Sequence, residues 1–164
     1  MDMVDYIMSL LKLPPKIKVL EASGSLADGR VKIISKSDYE VRAIVESSLG
    51  DRTYKVIIRF GQGRVLQVYS DDNGTRFRGY IGYPILSVLM LIGLLPRNSY
   101  VEESMKGIPW RILNEKFKSY ERVLEEVIKI ASSQKSMNAG LILEDYMKQV
   151  IDEVSKYRVY YINI

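Results

Sequence analysis

Cysteine and histidine are both absent from the 164 residues. Without cysteine there is no disulfide, no thiolate nucleophile and no thiolate metal ligand. Without histidine the chain loses the side chain that most often titrates near neutral pH and most often holds a metal. A Ser-His-Asp triad and a histidine-based zinc site are therefore excluded. Carboxylates, lysines and tyrosines remain as bearers of chemistry, but no spacing singles any of them out. No catalytic residue, metal site or cofactor is assigned.

Long apolar runs are also missing. The longest uncharged stretch, GYIGYPILSVLMLIGLLP between Arg78 and Arg97, has eighteen residues, but Gly79, Gly82, Pro84 and Pro96 interrupt its flanks. Its apolar centre, residues 85–95, would cover only ~17 Å as a helix, about half of a bilayer's hydrocarbon. It is expected to be a core helix rather than a membrane span. The opening MDMVDYIMSLLK lacks a cationic leader region and a small-residue cleavage site, so no signal peptide is expected and a cytoplasmic location is. A large charge of one sign is lacking too: 24 Lys and Arg against 20 Asp and Glu give +4. Frequent Ile, Val, Tyr, Lys and Arg with scarce Cys and Gln is a bias reported for hyperthermophiles.

What is present is a change of hydrophobic period. Val4, Ile7, Leu10 and Leu11 share a stripe of a predicted helix over residues 2–12, which Pro14-Pro15 stops. Residues 16–22, 30–36, 39–47, 53–60, 64–70 and 75–81 are rich in β-branched or aromatic residues and read as strands. Their links (Ser37-Asp38, Gly50-Asp51, GQGR at 61–64, DDNG at 71–74) carry turn residues and are too short for anything but antiparallel neighbours. From Tyr83 on, the pattern is helical: an apolar helix up to Pro96, an amphipathic one over 109–131, a linker at 132–138 with Ser136 or Asn138 as its cap, and a third helix to about 156. The tail RVYYINI (158–164) returns to β-like composition. The fold class is therefore α+β in one domain over 1–164: a short N-terminal helix, an antiparallel five- or six-stranded meander, an apolar central helix and two C-terminal amphipathic helices. The order, with its step from YIGYP into ILSVLMLIGLLPRN, is similar to that of the ubiquitin-conjugating enzymes and their inactive relatives. The missing cysteine and the extra strands set that resemblance aside.

Three roles follow, in order. The first is a non-catalytic binding or assembly module that self-associates as a homo-oligomer, with Ser87 and Gly93 allowing close approach on the apolar helix and Tyr157 and Tyr161 near the β-like tail. The second is nucleic-acid binding on a basic sheet face. Alternation places Lys16, Lys18, Lys32, Arg42, Lys55, Arg59, Arg76 and Arg78 there against Glu40 and Glu46, with Tyr80 as the one aromatic. Single-strand binders usually expose more aromatics than that. The third is a small apolar ligand held between the sheet and the central helix. GQGR lacks the third glycine and following helix of a phosphate loop, and DDNG lacks the remaining ligands of a calcium loop. Adjacent acidic pairs such as Glu125-Glu126 diverge around a helix and do not converge on one ion.

Overall fold

The computed structural model of the protein describes residues 8–135 and 138–164. Six strands form one sheet: β1 (Met8–Leu10), β2 (Val31–Lys36), β3 (Glu40–Glu46), β4 (Thr53–Phe60), β5 (Val65–Ser70) and β6 (Arg158–Ile162), in the order β1-β6-β5-β4-β3-β2. The described helices are α1 (Ile17–Ala27), α2 (Asn73–Arg76), α3 (Tyr83–Leu91), α4 (Ser99–Met105), α5 (Trp110–Phe117), α6 (Tyr120–Gln134) and α7 (Ala139–Val154). The α+β class holds, and the stretch β2 to β5 is an antiparallel meander as expected. GQGR makes the β4–β5 turn, where Gly61 N–H donates to the Val65 carbonyl.

The tail is the strand that widens this meander. It returns from the helices to lie parallel to β5, and β1 pairs antiparallel to it on the outer side. The N-terminal helix expected over 2–12 is therefore corrected at Met8–Leu10, which is extended because β6 supplies its hydrogen-bond partners; residues 2–7 lie outside the described residues.

Two predicted strands are helical instead. Residues 17–22 belong to α1, with Lys16 at its N-cap position. Lys16 and Lys18 alternate with Ile17 and Val19 and imitate a period of two, yet Val19, Leu20, Glu21 and Ala22 are buried in succession, which a strand with one wet face cannot do. α1 touches α3, α4, α6 and α7, and is the helix most enclosed by others. Residues 75–81 are not a strand either. The Asp72 carboxylate accepts the Thr75 N–H (3.0 Å) and starts α2, turning DDNG into a helix cap rather than a hairpin. Phe77 in this segment is 73% exposed.

The apolar stretch is a helix packed between sheet and helices, as its uniform hydrophobicity requires. α3 lies against β2, β4 and β5 on one side and α1 on the other, with Ile85, Leu86, Val88 and Leu89 enclosed. No described helix is long and apolar enough to cross a membrane. The expected helix over 109–131 is two helices. Lys118 turns left-handed (φ 52°), and the Ser119 hydroxyl caps α6 by accepting the Arg122 N–H. α4 was not anticipated. Ser136 lies outside the described residues, and Asn138 precedes α7 without a side-chain cap bond.

Candidate functional site

The strand register sorts the expected basic residues. Val41, Ala43 and Val45 face the helices, so Arg42 and Ile44 of the same strand face away, together with Lys32, Lys55 and Arg59 on the neighbouring strands. Glu40 pairs with both Arg42 and Arg59 on that open face. β6 adds Tyr160 beside Gln67. Arg76, Arg78 and Tyr80 lie elsewhere, beyond the end of β5, because their segment is not a strand. Lys18 belongs to α1 and Lys16 stands at its N-cap position, where it pairs with Glu144 at 3.2 Å. Ser87 is fully enclosed in α3 and donates to the Pro84 carbonyl, so it presents no surface. Gly93 makes the turn after α3 with φ 87°, Tyr157 lies under Arg64, and Tyr161 stacks on Tyr69.

Arg78 and Tyr80 instead meet Lys18 in a cleft of about 650 Å³ at one end of the sheet. The β3–β4 hairpin gives one wall, the α2 segment and its exit to Gly82 another, and α5 with the start of α6 closes the third. Glu21 of α1 forms part of its lining and is only 2% exposed. One of its oxygens, Oε1, accepts from Lys18 Nζ and from Asn114 Nδ2, each at 2.9 Å. An unpaired carboxylate at this depth would cost several kcal/mol, which the ammonium and the amide offset.

From this carboxylate a line of contacts runs outward. The Lys18 ammonium lies 5.1 Å from the centre of the Tyr120 ring. Tyr120 accepts from Arg78 Nη1 at 2.9 Å and shares a second 2.9 Å hydrogen bond with the Tyr80 hydroxyl. Burial, reinforced by the Tyr120 hydroxyl, pushes the Tyr80 phenol well above its usual range. Tyr83, edge-on to Tyr54 at 6.2 Å, is raised as well, first by burial and then by the negative charge of Glu21. Both phenols stay neutral at physiological pH and keep a proton to donate.

The remaining acids of the cleft are already engaged. Asp72 accepts from Ser70 and from the Thr75 N–H, and Thr75 Oγ1 accepts the Gly82 N–H at 3.0 Å. A side chain at Gly82 would collide with the Asp72 carboxylate, so this corner needs glycine. Glu115 pairs with Arg111, and so does Asp51 on the hairpin. The Ser47 hydroxyl and then Arg111 hold the Asp51 carboxyl below its usual range. Arg52, Arg78 and Lys118 line the same cleft and form no ion pair among the described residues.

Sequence reasoning named Lys18, Arg78 and Tyr80 but put them on the wrong surface, and it missed Glu21, Asn114 and Tyr120. Glu21 was hidden inside the misread strand, and Tyr120 inside a helix drawn through Ser119. The serine cap at Ser119 was the one local signal that could have exposed the break. A second cavity, of about 460 Å³, lies between Pro15–Ile17, α6 and α7, with Leu124 and Ile128 on its wall and Lys16 and Glu144 at its edge.

The chain belongs to the family described as "Uncharacterised conserved protein UCP014422", which it matches over residues 11–160. Neither a curated protein nor a solved structure matches it.

Proposed function

We propose that this chain is a non-catalytic binding module whose polar cleft holds a small anionic ligand. One observation carries the reading: Arg52, Arg78 and Lys118 surround the same cleft without an acidic partner, while the acids beside them are occupied. Cations gathered in a concavity with low-dielectric walls focus their field and raise the local concentration of anions. The cavity volume also falls in the range of small-molecule sites, ~300–1,000 Å³. The open sheet face, where nucleic acid would have to lie, supports its reading less well, because Glu40 already engages two of its arginines.

Thermal unfolding at constant ionic strength tests the proposal, with phosphate, sulfate or citrate replacing chloride. A ligand at 100 times its Kd stabilises by ~2.7 kcal/mol. For a domain of this size that raises Tm by roughly 5–10 °C. The rise should disappear in an Arg78→Gln, Lys118→Gln variant. No rise with any anion, or an equal rise in the variant, would remove the cleft from the account.

A further inference from the structure

We infer that the cleft's ligand carries a terminal phosphate group, free or esterified, taken by Arg78 and the Tyr80–Tyr120 hydroxyl pair; this rests on the anion-binding reading above. Arg78 lines the cleft and spends one nitrogen, Nη1, on the Tyr120 hydroxyl at 2.9 Å. Nothing else ties it to a described residue, so Nε and Nη2 remain as an open fork. Such a fork takes two oxygens borne by one atom, as in a carboxylate, a sulfate or a phosphate. The neighbouring phenols add a third donor. Each carries one proton, and their shared 2.9 Å bond uses one of the two. The Arg78 contact uses a guanidinium proton. The second phenolic proton therefore has no acceptor among the described residues, whichever of the two oxygens bears it. Burial keeps the Tyr80 phenol from ionising, so this donor persists at physiological pH.

Both partners of the fork are held in place. Tyr120 opens α6 directly after the Ser119 cap, and its ring lies against the Lys18 ammonium, which Glu21 fixes in turn. Tyr80 reaches its position because residue 74 is glycine: a Cβ there would lie 2.6 Å from the Tyr80 hydroxyl oxygen. Fork and phenol thus meet at Tyr120, and Arg52 and Lys118 line the same cleft without an ion pair among the described residues. A carboxylate brings two oxygens and one charge, and it leaves the phenolic proton unmatched. A sulfate ester brings three oxygens but still one charge. A terminal phosphate brings three oxygens and ~1.5–2 negative charges at pH 7, and so meets both the donors and the cations.

The whole chain is titrated by calorimetry at constant ionic strength with inorganic phosphate, methyl phosphate, methyl sulfate and acetate. Methyl phosphate should bind about tenfold tighter than methyl sulfate or acetate. Inorganic phosphate carries the same group, and the tighter of the two phosphates tells whether the free ion or an ester is the better occupant. Arg78→Lys keeps the charge and removes the fork, and should weaken methyl phosphate about tenfold. Tyr120→Phe removes the oxygen that orients Arg78 but leaves the Tyr80 proton to donate, and should cost a similar factor. In the double variant the two losses should not add, because no guanidinium remains to be oriented. Methyl sulfate or acetate binding as tightly as methyl phosphate, full affinity in Arg78→Lys, or additive losses would overturn the inference and leave the anion site standing. Binding of none of the four probes overturns the inference, and the anion site with it if citrate also leaves Tm unmoved. Should a variant fail to melt cooperatively, the comparison of probes on the unaltered chain decides alone.

Discussion

Tyr146 shows how much a single side chain can tie to pH in a protein without histidine. It sits on α7, 2% exposed, and its hydroxyl donates to the Pro96 carbonyl at 2.7 Å, anchoring the chain just beyond the apolar helix. Burial pushes its phenol up to about 12 from the usual 10. The folded state thus holds this proton more tightly than the unfolded chain does. The associated stability is fully present below pH 10 and is lost as the pH rises from about 10 through about 12. At ~1.4 kcal/mol per unit, the swing from this group is roughly 2–3 kcal/mol. Tyr80 and Tyr83, both raised, act in the same direction. Tyr146→Phe should cost ~0.5–1.5 kcal/mol at pH 7, the net worth of one hydrogen bond, and should flatten the loss between pH 10 and 12. Urea unfolding of both proteins across that range checks it; parallel pH profiles would show that the buried phenol is not the group that titrates.

At the scale of elements, α1 decides the architecture. It is enclosed by four other helices, and its small residues let them approach. An ideal Cβ on Gly24 would lie 2.7 Å from Trp110 Nε1 and 3.3 Å from the Met105 carbonyl oxygen. Two effects of Gly24→Ala oppose each other. Alanine favours the helix by up to ~1 kcal/mol, whereas forcing a methyl into a closed contact costs ~1–3 kcal/mol. Trp110 is 3% exposed and the second close atom, the Met105 oxygen, belongs to the backbone, so the clash wins. A net loss of about 1–2 kcal/mol is expected in urea unfolding, with altered Trp110 emission; a stabilised variant would mean that α1 and α5 pack less closely than described. The same helix marks the limit of what could be read beforehand. β2 to β5 were legible because alternation and turn residues are local, and α3 was legible because eleven apolar residues need no context. α1 was not. Its Lys-Ile-Lys-Val start satisfies a period of two, and only partners distant in the chain, α3, Met105 and Trp110 among them, make the whole segment buried. The DDNG turn misled for a related reason, since Asp followed by Asn-Gly suits both a hairpin and a helix cap, and the choice falls to whichever backbone N–H the carboxylate reaches.

For the whole molecule, the sheet carries helices on one face and solvent on the other, and the second of the expected roles, nucleic-acid binding, belongs to that open face. Alternation correctly placed Lys32, Arg42, Lys55 and Arg59 there. It could not show that Arg78 and Tyr80 leave the sheet, nor that Tyr120 and Glu21, distant in sequence, come to meet them. The apolar stripes of α6 and α7 (Val123, Val127 and Ala131; Leu143, Met147 and Val150) are covered within the chain itself. The cleft is therefore where cations without an ion pair among the described residues and neutral phenols coincide. An amide and indole NMR map of the isotope-labelled chain, recorded during titration with phosphate, sulfate or citrate, tests that claim most directly. The account predicts saturable shifts confined to Gly74, Gly82, Asn114, Ser119 and the Trp110 indole, with Lys32, Lys55 and Arg59 unmoved. Shifts gathered on the open sheet face instead, or none at any concentration, would contradict it.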